Sequence, residues 1–221
     1  MLIWVVIIAF NNPTYVSDMV NQLLKYTNNI IIVDNCSTYP KMIEYLETIE
    51  KNVKVFRMEK NYGHNVHKEN IIQSFIDSDI YCITDPDLRF NTKLPENFIE
   101  TFAELTEIHN AERVGFALDI TTDIRDDIHY QGKLIKEWES NFWNDKIEHP
   151  SLVLYKAAID TTFCLINKKY TSKEPTHIRV AGDFTCVHRP WLTYSKTEVP
   201  EEELNYYMQH ATCSCWVKIN T

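Results

Sequence analysis

The stretch Ile80–Asp87, IYCITDPD, decides how the rest of this chain is organised. Its first five residues are apolar, β-branched or aromatic, a composition that predicts a short buried strand. Pro86 disfavours helix at the residue before it, so the two aspartates that flank it leave the strand in an extended turn. Two carboxylates on such a turn are suited to Mg²⁺ or Mn²⁺, although the same residue types also form ordinary surface turns.

Three similar apolar stretches precede this one and predict three more buried strands, with apolar residues at helical spacing between them. The predicted strands cover residues 4–10, 30–33 and 53–57, and the predicted helices cover residues 16–24, 40–49 and 67–76. This alternation of strand and helix predicts an α/β fold with a mostly parallel central sheet and helices on both faces.

Polar side chains follow three of the four predicted strands at the point where each strand ends. They are Asn11, then Asp34 and Asn35, then Asp85 and Asp87. Ligands of parallel α/β sheets bind beyond the carboxyl ends of the strands. We therefore expect these side chains to meet in one crevice.

The scarcity of glycine limits how this crevice can hold a phosphate group. The chain has four glycines, and none of them belongs to a Gly-rich dinucleotide motif or a P-loop. A bound phosphate would therefore need a metal ion on Asp87, helped by a basic side chain such as Arg57 or Lys68. On its own, Lys68 has the character of a solvated helix residue.

The second half of the chain has a different pattern. The predicted elements are a helix at 98–105, a strand at 114–118 that ends at Asp119, a polar loop or broken helix at 121–132, a strand at 157–166 entered through Asp160, and an acidic helix with a solvated face at 201–210. Residues 138–143 are dense in aromatic side chains, whose commoner use is core packing. Since no linker or repeat divides the chain, we expect one domain over residues 1–221.

Composition and charge exclude several classes of protein. The net charge of −9 argues against general nucleic-acid binding, because phosphate neutralisation needs a basic face. Six cysteines in 221 residues do not indicate a disulfide scaffold, and the CSC sequence at 213–215 is too closely spaced for a zinc site. The apolar run Leu2–Phe10 is shorter than the roughly 20 residues of a membrane helix and lacks the flanks of a signal peptide. We expect a soluble cytoplasmic protein without a transmembrane segment.

Four motifs in the first 90 residues resemble, in order, those of GT-A glycosyltransferases of the family-two type. They are Val5–Phe10 followed by Asn11, the stretch IIVDNCS at 31–37, Asn61–Gly63 with Asn65 and Lys68 beyond it, and the DxD motif Asp85–Asp87. The resemblance implies the GT-A fold, with residues 1–90 as the nucleotide-sugar-binding half and 91–221 as the acceptor and catalytic half.

The resemblance also implies roles for these residues. Phe10, Asn11 and Asp34 would contact the nucleobase, which is uracil or an equivalent base. The nucleotide pocket would be lined by Asn61, Gly63 and Lys68, with Arg57 also assigned to nucleotide binding. Asp85 would bind the ribose and Asp87 the metal ion on the diphosphate, with Asp85 as a further candidate metal ligand.

The second half departs from the commonest family-two pattern, because it has no Gly-Gly strand followed by a Glu-Asp pair. Its ending is similar to a smaller group of short GT-A enzymes, which includes glycosyltransferase domains of large algal viruses. For a viral enzyme, the expected location would be the host cytoplasm. In several GT-A families a late histidine completes the metal site, and His188 is the candidate here, the alternative being a structural histidine packed by Trp191.

The catalytic base remains open at the level of sequence. Asp160 and Glu139 are the two leading candidates, ahead of Asp119 and Asp183. Asp160 enters a predicted strand, and Glu139 lies among aromatic residues where loss of solvent would raise its pKa. The sequence does not separate the two.

The predicted function is transfer of a hexose or deoxyhexose, dependent on Mn²⁺ or Mg²⁺, from a UDP-sugar to a hydroxyl of a glycan or glycoprotein. Inversion is predicted, because family-two likeness favours it and a single displacement needs one base. The alternatives are a nucleotidyltransferase of related fold and a non-catalytic module that binds a sugar or nucleotide. A nucleotidyltransferase would need a Gly-rich basic loop after the first strand, which Asn11–Pro13 does not supply.

Overall fold

A nine-stranded sheet lies at the centre of the computed structural model, which describes residues 2–63, 66, 72, 76–159 and 162–211. In chain order the strands are β1 Trp4–Ala9, β2 Ile30–Asp34, β3 Lys54–Arg57, β4 Ile80–Thr84, β5 Leu88–Arg89, β6 Arg113–Phe116, β7 His129–Tyr130, β8 Lys133–Leu134, β9 Lys146–Ile147, β10 Leu154–Lys156, β11 Cys164–Asn167, β12 His177–Val180 and β13 Val187–His188. The helices are α1 Pro13–Leu23, α2 Pro40–Ile49, α3 Phe98–His109, α4 Ile135–Ser140 and α5 Glu201–His210.

The order of strands in this sheet is β3-β2-β1-β4-β11-β6-β12-β10-β9. The first four are parallel neighbours, as the alternation of strand and helix predicts. β11 runs antiparallel between β4 and β6, and β10 runs antiparallel between β12 and β9. The α/β fold with a mostly parallel central sheet is therefore confirmed, with two reversed strands in its second half.

Each face of the sheet is covered by its own apolar cluster. Residues such as Val5 and Ile7 of β1 face the main core, which contains α1, α2 and α3 and the rings of Phe98 and Phe163. Neighbouring residues such as Val6 point to the opposite face and pack in a second cluster with Ile83 and others. Burial on both faces explains why these strands are continuous apolar runs rather than alternating ones.

The register of the strands brings the polar strand ends to one edge of the sheet. Ala9 of β1 is paired with Asp34 of β2, and Asp34 with Arg57 of β3. Ile7 is paired with Thr84, the last residue of β4. Asn11, Asp34 and Asp85 therefore leave the sheet at the same edge, as the sequence predicts for the strand ends.

The second half differs from the prediction at one strand. The strand predicted at 157–166 begins only at Cys164, because Ala158 and Ile159 bond instead to arginine side chains of β12 and β6. β11 also approaches β6 closely at Gly115, where an added Cβ would lie 2.3 Å from the Phe163 carbonyl oxygen.

Other elements of the second half follow the prediction more closely. The predicted strand at 114–118 ends earlier, at Phe116, and the predicted acidic helix is confirmed as α5. The short strands β9 and β10 were not predicted. The helix predicted at 67–76 lies largely outside the described residues.

Two further properties bear on the expectations from sequence. Over the described ranges, no helix combines the length and the apolar character that crossing a membrane requires. Cys36, Cys82, Cys164 and Cys186 are free thiols, in line with a chain that is not built on disulfides.

Candidate functional site

Asn11 braces the loop that follows β2. It is fully buried and has a positive φ of 51°, a conformation that asparagine tolerates better than most residues. Its backbone N–H donates to Ser37 Oγ at 2.9 Å, and its Oδ1 accepts from the N–H groups of Thr38 and Tyr39 at 2.7 and 2.8 Å. Its Nδ2 has no hydrogen-bond partner among the described residues.

Asp34 ends β2 as a buried carboxylate, only 3% exposed. The Ser37 N–H donates to both of its oxygens, at 3.2 and 3.3 Å. Burial raises the pKa of Asp34, against the lowering effects of the Ser37 hydrogen bonds and of Arg57. Arg57 itself is partly exposed and forms an ion pair with Glu50 at 2.8 Å.

Asn35 joins the end of β2 to the loop at 61–63. Its Nδ2 donates to Asn61 Oδ1 at 3.0 Å and to the Gly63 carbonyl oxygen at 3.2 Å, while its Oδ1 accepts from the Tyr62 N–H at 2.8 Å. Gly63 has a positive φ of 60° and donates its N–H to Asn61 Oδ1 at 2.7 Å. The structure thus brings Asn61 and Gly63 next to the polar strand ends.

Asp87 and His188 are brought together by a small second sheet. β5 and β13 pair antiparallel, with His188 opposite Leu88, and the Arg189 N–H donates to the Asp87 carbonyl oxygen at 2.9 Å. His188 Nε2 lies 3.7 Å from Asp87 Oδ2. Asp87 Oδ1 is buried and has no hydrogen-bond partner among the described residues. We call Asn11, Asp34, Asn35 and Asp87 the strand-end crevice.

The Asp87 and His188 side chains fit a divalent metal ion that is completed by a ligand. The Asp87 carboxylate, whose Oδ1 has no partner among the described residues and whose Oδ2 is near the His188 imidazole, offers with that imidazole two kinds of ligand that Mn²⁺ or Mg²⁺ accepts. In the part of the chain that the structure describes, no group of three or more His, Cys, Asp or Glu side chains could hold a metal ion. Mg²⁺ commonly takes one or two carboxylates and fills its other positions with water and substrate phosphates. The His188 ring also packs on Trp191, with centroids 4.5 Å apart, so packing and metal binding are compatible.

A small cleft that is partly open to solvent lies beside Asp87. Part of its lining is formed by Asn12, which directly precedes α1, and by Tyr15 of α1. Another part is formed by Glu203, Leu204 and Tyr207 of α5. Sequence reasoning did not select these α5 residues, because it expected the acidic helix to have a solvated face. The apolar residues Leu204 and Met208, one turn apart, were the available signal for a buried side of this helix.

Glu139, one of the two candidate bases, is buried and paired with an arginine side chain. Its carboxylate is 3% exposed and accepts a short hydrogen bond from Arg179 Nη1. Arg179 also donates to the Ala158 carbonyl oxygen at 2.8 Å and lies 4.2 Å from the centre of the Phe142 ring. Burial raises the pKa of Glu139 to about 7, although Arg179 acts to lower it. The carboxylate is therefore paired with Arg179, and its raised pKa agrees with the effect of solvent loss expected from the sequence. We call these four residues the Arg179 cluster.

The other candidate acids and Lys68 have different positions. Asp160 and Lys68 lie outside the described residues, although the segment before Asp160 is anchored at Ile159, whose carbonyl oxygen accepts from Arg113 at 3.4 Å. Asp119 folds back on its own turn, where its Oδ1 accepts from both the N–H and the hydroxyl of Thr121 at 2.7 Å. Asp183 is exposed in a short 3-10 helix.

A mostly parallel sheet with a buried aspartate after its second strand and a DxD turn after its fourth defines an α/β protein of the GT-A class. The sequence profile of Glycosyl transferase family 2 matches residues 4–163, which is more than half of the chain. The chain belongs to this family. No curated protein matches the chain.

Solved structures with the same fold share little sequence with the chain. The mannosyltransferase PcManGT from Pyrobaculum calidifontis, in complex with GDP-Man and Mn²⁺, has a TM-score of 0.52 and 11% identity over 98% of this chain and 66% of its own. GalNAc-T7 with UDP, GalNAc and Mn²⁺ has a TM-score of 0.53 and 14% identity over 83% of this chain and 43% of its own. TarS of S. aureus has a TM-score of 0.52 and 13% identity over 99% of this chain and 41% of its own. The chain thus spans less than two thirds of the length of each.

Proposed function

We propose that this chain is a metal-dependent glycosyltransferase that transfers a hexose or deoxyhexose from a nucleoside-diphosphate sugar to a hydroxyl of a glycan or glycoprotein. The observation that carries the proposal is the Asp87–His188 pair at the edge of the sheet where the nucleotide-binding motifs converge. Asp87 Oδ1 is buried without a partner among the described residues, a costly state unless a ligand binds there.

UDP-sugar is the proposed donor. Among the described residues, the Asp34 carboxylate accepts hydrogen bonds from Ser37, which leaves acceptor positions for the imide N–H of uracil or thymine. Guanine also offers an N–H in the corresponding position, so a GDP-sugar is the competing donor. Asn11, which follows Phe10, is hydrogen-bonded to Ser37 in the loop after β2. Asn61 and Gly63 are bonded to Asn35 at the start of the same loop. Two of the compared structures contain UDP or GDP-Man together with Mn²⁺.

The chemistry follows from charge. Asp87 and His188, with Asp85 two residues before Asp87, would hold a Mn²⁺ or Mg²⁺ ion, which would supply positive charge opposite the negative charge of the leaving diphosphate. Arg57 and Lys68 are the basic side chains assigned to the nucleotide. Inversion needs one carboxylate that takes the proton of the acceptor hydroxyl as the bond forms. Asp160 is the proposed base, because Glu139 is buried against Arg179.

The test measures calorimetric affinity for UDP, dTDP and GDP, each with and without Mn²⁺. Wild type should bind UDP best and only weakly without the metal. Asp87→Ala should lose the metal-dependent part of binding and all transfer, since it removes a charged ligand. Asp145→Ala is the matched control, because that aspartate is exposed.

Three outcomes would contradict the proposal in different ways. Unchanged Mn²⁺-dependent affinity in Asp87→Ala would show that the metal site is wrongly assigned. Much tighter binding of GDP than of UDP would mean that the donor is a GDP-sugar and not a UDP-sugar. Binding of free sugars but of no nucleotide would favour the non-catalytic module.

A further inference from the structure

α5 is attached to the start of α1 and to the loop that follows β2. Glu203 accepts from the Thr14 N–H at 3.1 Å and from the Thr14 hydroxyl at 2.7 Å, which ties the helix to the start of α1. The Tyr206 hydroxyl lies 3.1 Å from both the carbonyl oxygen and the Oγ1 of Thr38, in the loop braced by Asn11. The helix therefore runs alongside the strand-end crevice.

Glu203 is an unusual residue for a helix that only covers a surface. It is 3% exposed, and burial raises the pKa of its carboxylate against the lowering effect of the Thr14 hydrogen bonds. Each carboxylate oxygen has two acceptor positions, and Thr14 occupies one on each. One acceptor position on each oxygen is left for another donor, and Glu203 lines the cleft beside Asp87.

β1 lies between β2, which ends at Asp34, and β4, which precedes Asp87, so the cleft residue that follows β1 lies between the two ends of the proposed nucleotide site. Asn12 lines one part of it and directly follows Asn11, which belongs to the nucleobase end. Asp87 lines another part and is the proposed metal ligand at the diphosphate end. A nucleoside diphosphate with its base at Asp34 and its diphosphate at Asp87 has its ribose between them.

We propose that α5 is part of the donor site and that Glu203 accepts a hydrogen bond from a ribose hydroxyl of the bound nucleotide. This inference rests on the proposed function. A carboxylate accepts hydrogen bonds and repels phosphate, which also only accepts, so the ribose hydroxyls are its available donors along this stretch. The ribose has two hydroxyls, and the family resemblance assigns Asp85 to the ribose as well, so each carboxylate has a hydroxyl to bind.

The experiment compares affinity for UDP, 2′-deoxy-UDP and 3′-deoxy-UDP in the presence of Mn²⁺. We expect wild type to bind both deoxy analogues about tenfold more weakly than UDP, because each analogue lacks a hydroxyl that one of the two carboxylates binds. Glu203→Gln should bind UDP more weakly and lose the discrimination against one analogue, while the discrimination that depends on Asp85 remains. The Gln side chain still offers an oxygen to Thr14, so α5 should stay docked and the unfolding midpoint should stay near that of wild type.

Glu201→Gln is the matched control, because it removes an exposed carboxylate from the same helix. It should keep the wild-type affinity and discrimination. If Glu203→Gln discriminates between UDP and both analogues as wild type does, or if wild type binds all three equally, the inference is overturned while the proposed function stands. If wild type binds no nucleoside diphosphate at all, the proposed function fails and this inference fails with it.

Discussion

The strand-end crevice and the Arg179 cluster both bury a carboxylate, and they do so in opposite ways. In the Arg179 cluster, the Glu139 carboxylate is bonded to Arg179, which also donates to the Ala158 carbonyl oxygen. In the crevice, Asp87 Oδ1 has no hydrogen-bond partner among the described residues, and His188 is 3.7 Å from the other oxygen.

A paired buried carboxylate and an unpaired one have different consequences for stability and for ligand binding. A buried ion pair with its hydrogen bonds made holds two segments together, and removing one partner is costly. A buried carboxylate oxygen without a partner has a desolvation cost that a bound ligand can offset. Asp87 and Glu139 were both candidates for chemistry in the sequence, and they differ in whether the carboxylate already has a partner among the described residues.

The largest effect is expected on stability in the Arg179 cluster. Arg179→Met keeps much of the side-chain volume but leaves the Glu139 carboxylate buried without its charge partner. At pH 8 we expect the free energy of unfolding to fall by about 3–5 kcal/mol, as in other broken buried pairs. Urea unfolding followed by circular dichroism measures this change.

The control for Arg179→Met is the double variant Arg179→Met with Glu139→Gln. Removing both charges should recover most of the lost stability, because no unpaired charge then remains. A single variant as stable as wild type would mean that the ion pair does not hold this region. The comparison between the two sites would then have to be abandoned.

The next effect is on turnover at the proposed base. Asp160→Asn should lower kcat by about a hundredfold or more, in line with the loss of a general base. Affinity for the donor should change little, since the base acts mainly in the transition state. Steady-state kinetics with a UDP-sugar and NMR of the anomeric configuration of the product measure both properties.

Glu139→Gln is the comparison for this variant. We expect its turnover to fall by less than that of Asp160→Asn, because the carboxylate of Glu139 faces Arg179. If turnover fell further in Glu139→Gln than in Asp160→Asn, Glu139 would be the general base instead of Asp160. A product with retained configuration would remove the single-displacement mechanism.

The parallel half of the fold could be predicted from sequence because each of its strands is marked by a pattern of residues that are adjacent in the chain. Each strand is a continuous apolar run, and each run ends in polar residues, so the position of Asp34 and Asp85 at one edge followed without a structure. The start of β11 could not be predicted in this way. It depends on Gly115, which lets another strand approach, and on Arg179, which holds Ala158 from a distant strand.

The site was only partly predictable for a similar reason. Asp87 was found from its motif, but its contact with His188 arises from the pairing of β5 with β13, which are far apart in sequence. Glu203 lies in an acidic stretch that is typical of a solvated helix, and it is buried because α5 docks on Thr14. Such contacts between distant segments leave little trace in one sequence.

A smaller effect is expected in the pH dependence of stability. The pKa of Glu139 is raised to about 7 in the folded protein from 4.5, so the folded state binds this proton more tightly than the unfolded state does. Its contribution to stability is therefore greatest at low pH and is lost as the pH rises through this range. The free energy of unfolding of wild type relative to Glu139→Gln should fall between about pH 4.5 and 7.

The quantity to measure is the difference in the free energy of unfolding between wild type and Glu139→Gln, because other groups titrate in the same pH range. Burial lowers the pKa of His177, which acts in the opposite direction, since that stability is lost as the pH falls. His177 is common to both proteins, so its contribution cancels. A difference that stays constant, or that rises with pH, would show that Arg179 outweighs burial at Glu139.

The smallest effect is expected at the exposed ion pair between Lys41 and Glu202, which joins α2 to α5 at 2.7 Å. Both side chains are more than half exposed, so water and salt screen their attraction and ordering them costs side-chain entropy. Lys41→Ala should leave the unfolding midpoint and the affinity for UDP unchanged at both low and high salt, as measured by thermal unfolding and calorimetry. If this variant instead weakened UDP binding as much as Glu203→Gln does, α5 would depend on exposed charge for its position. The distinction between buried and exposed carboxylates on that helix would then fail.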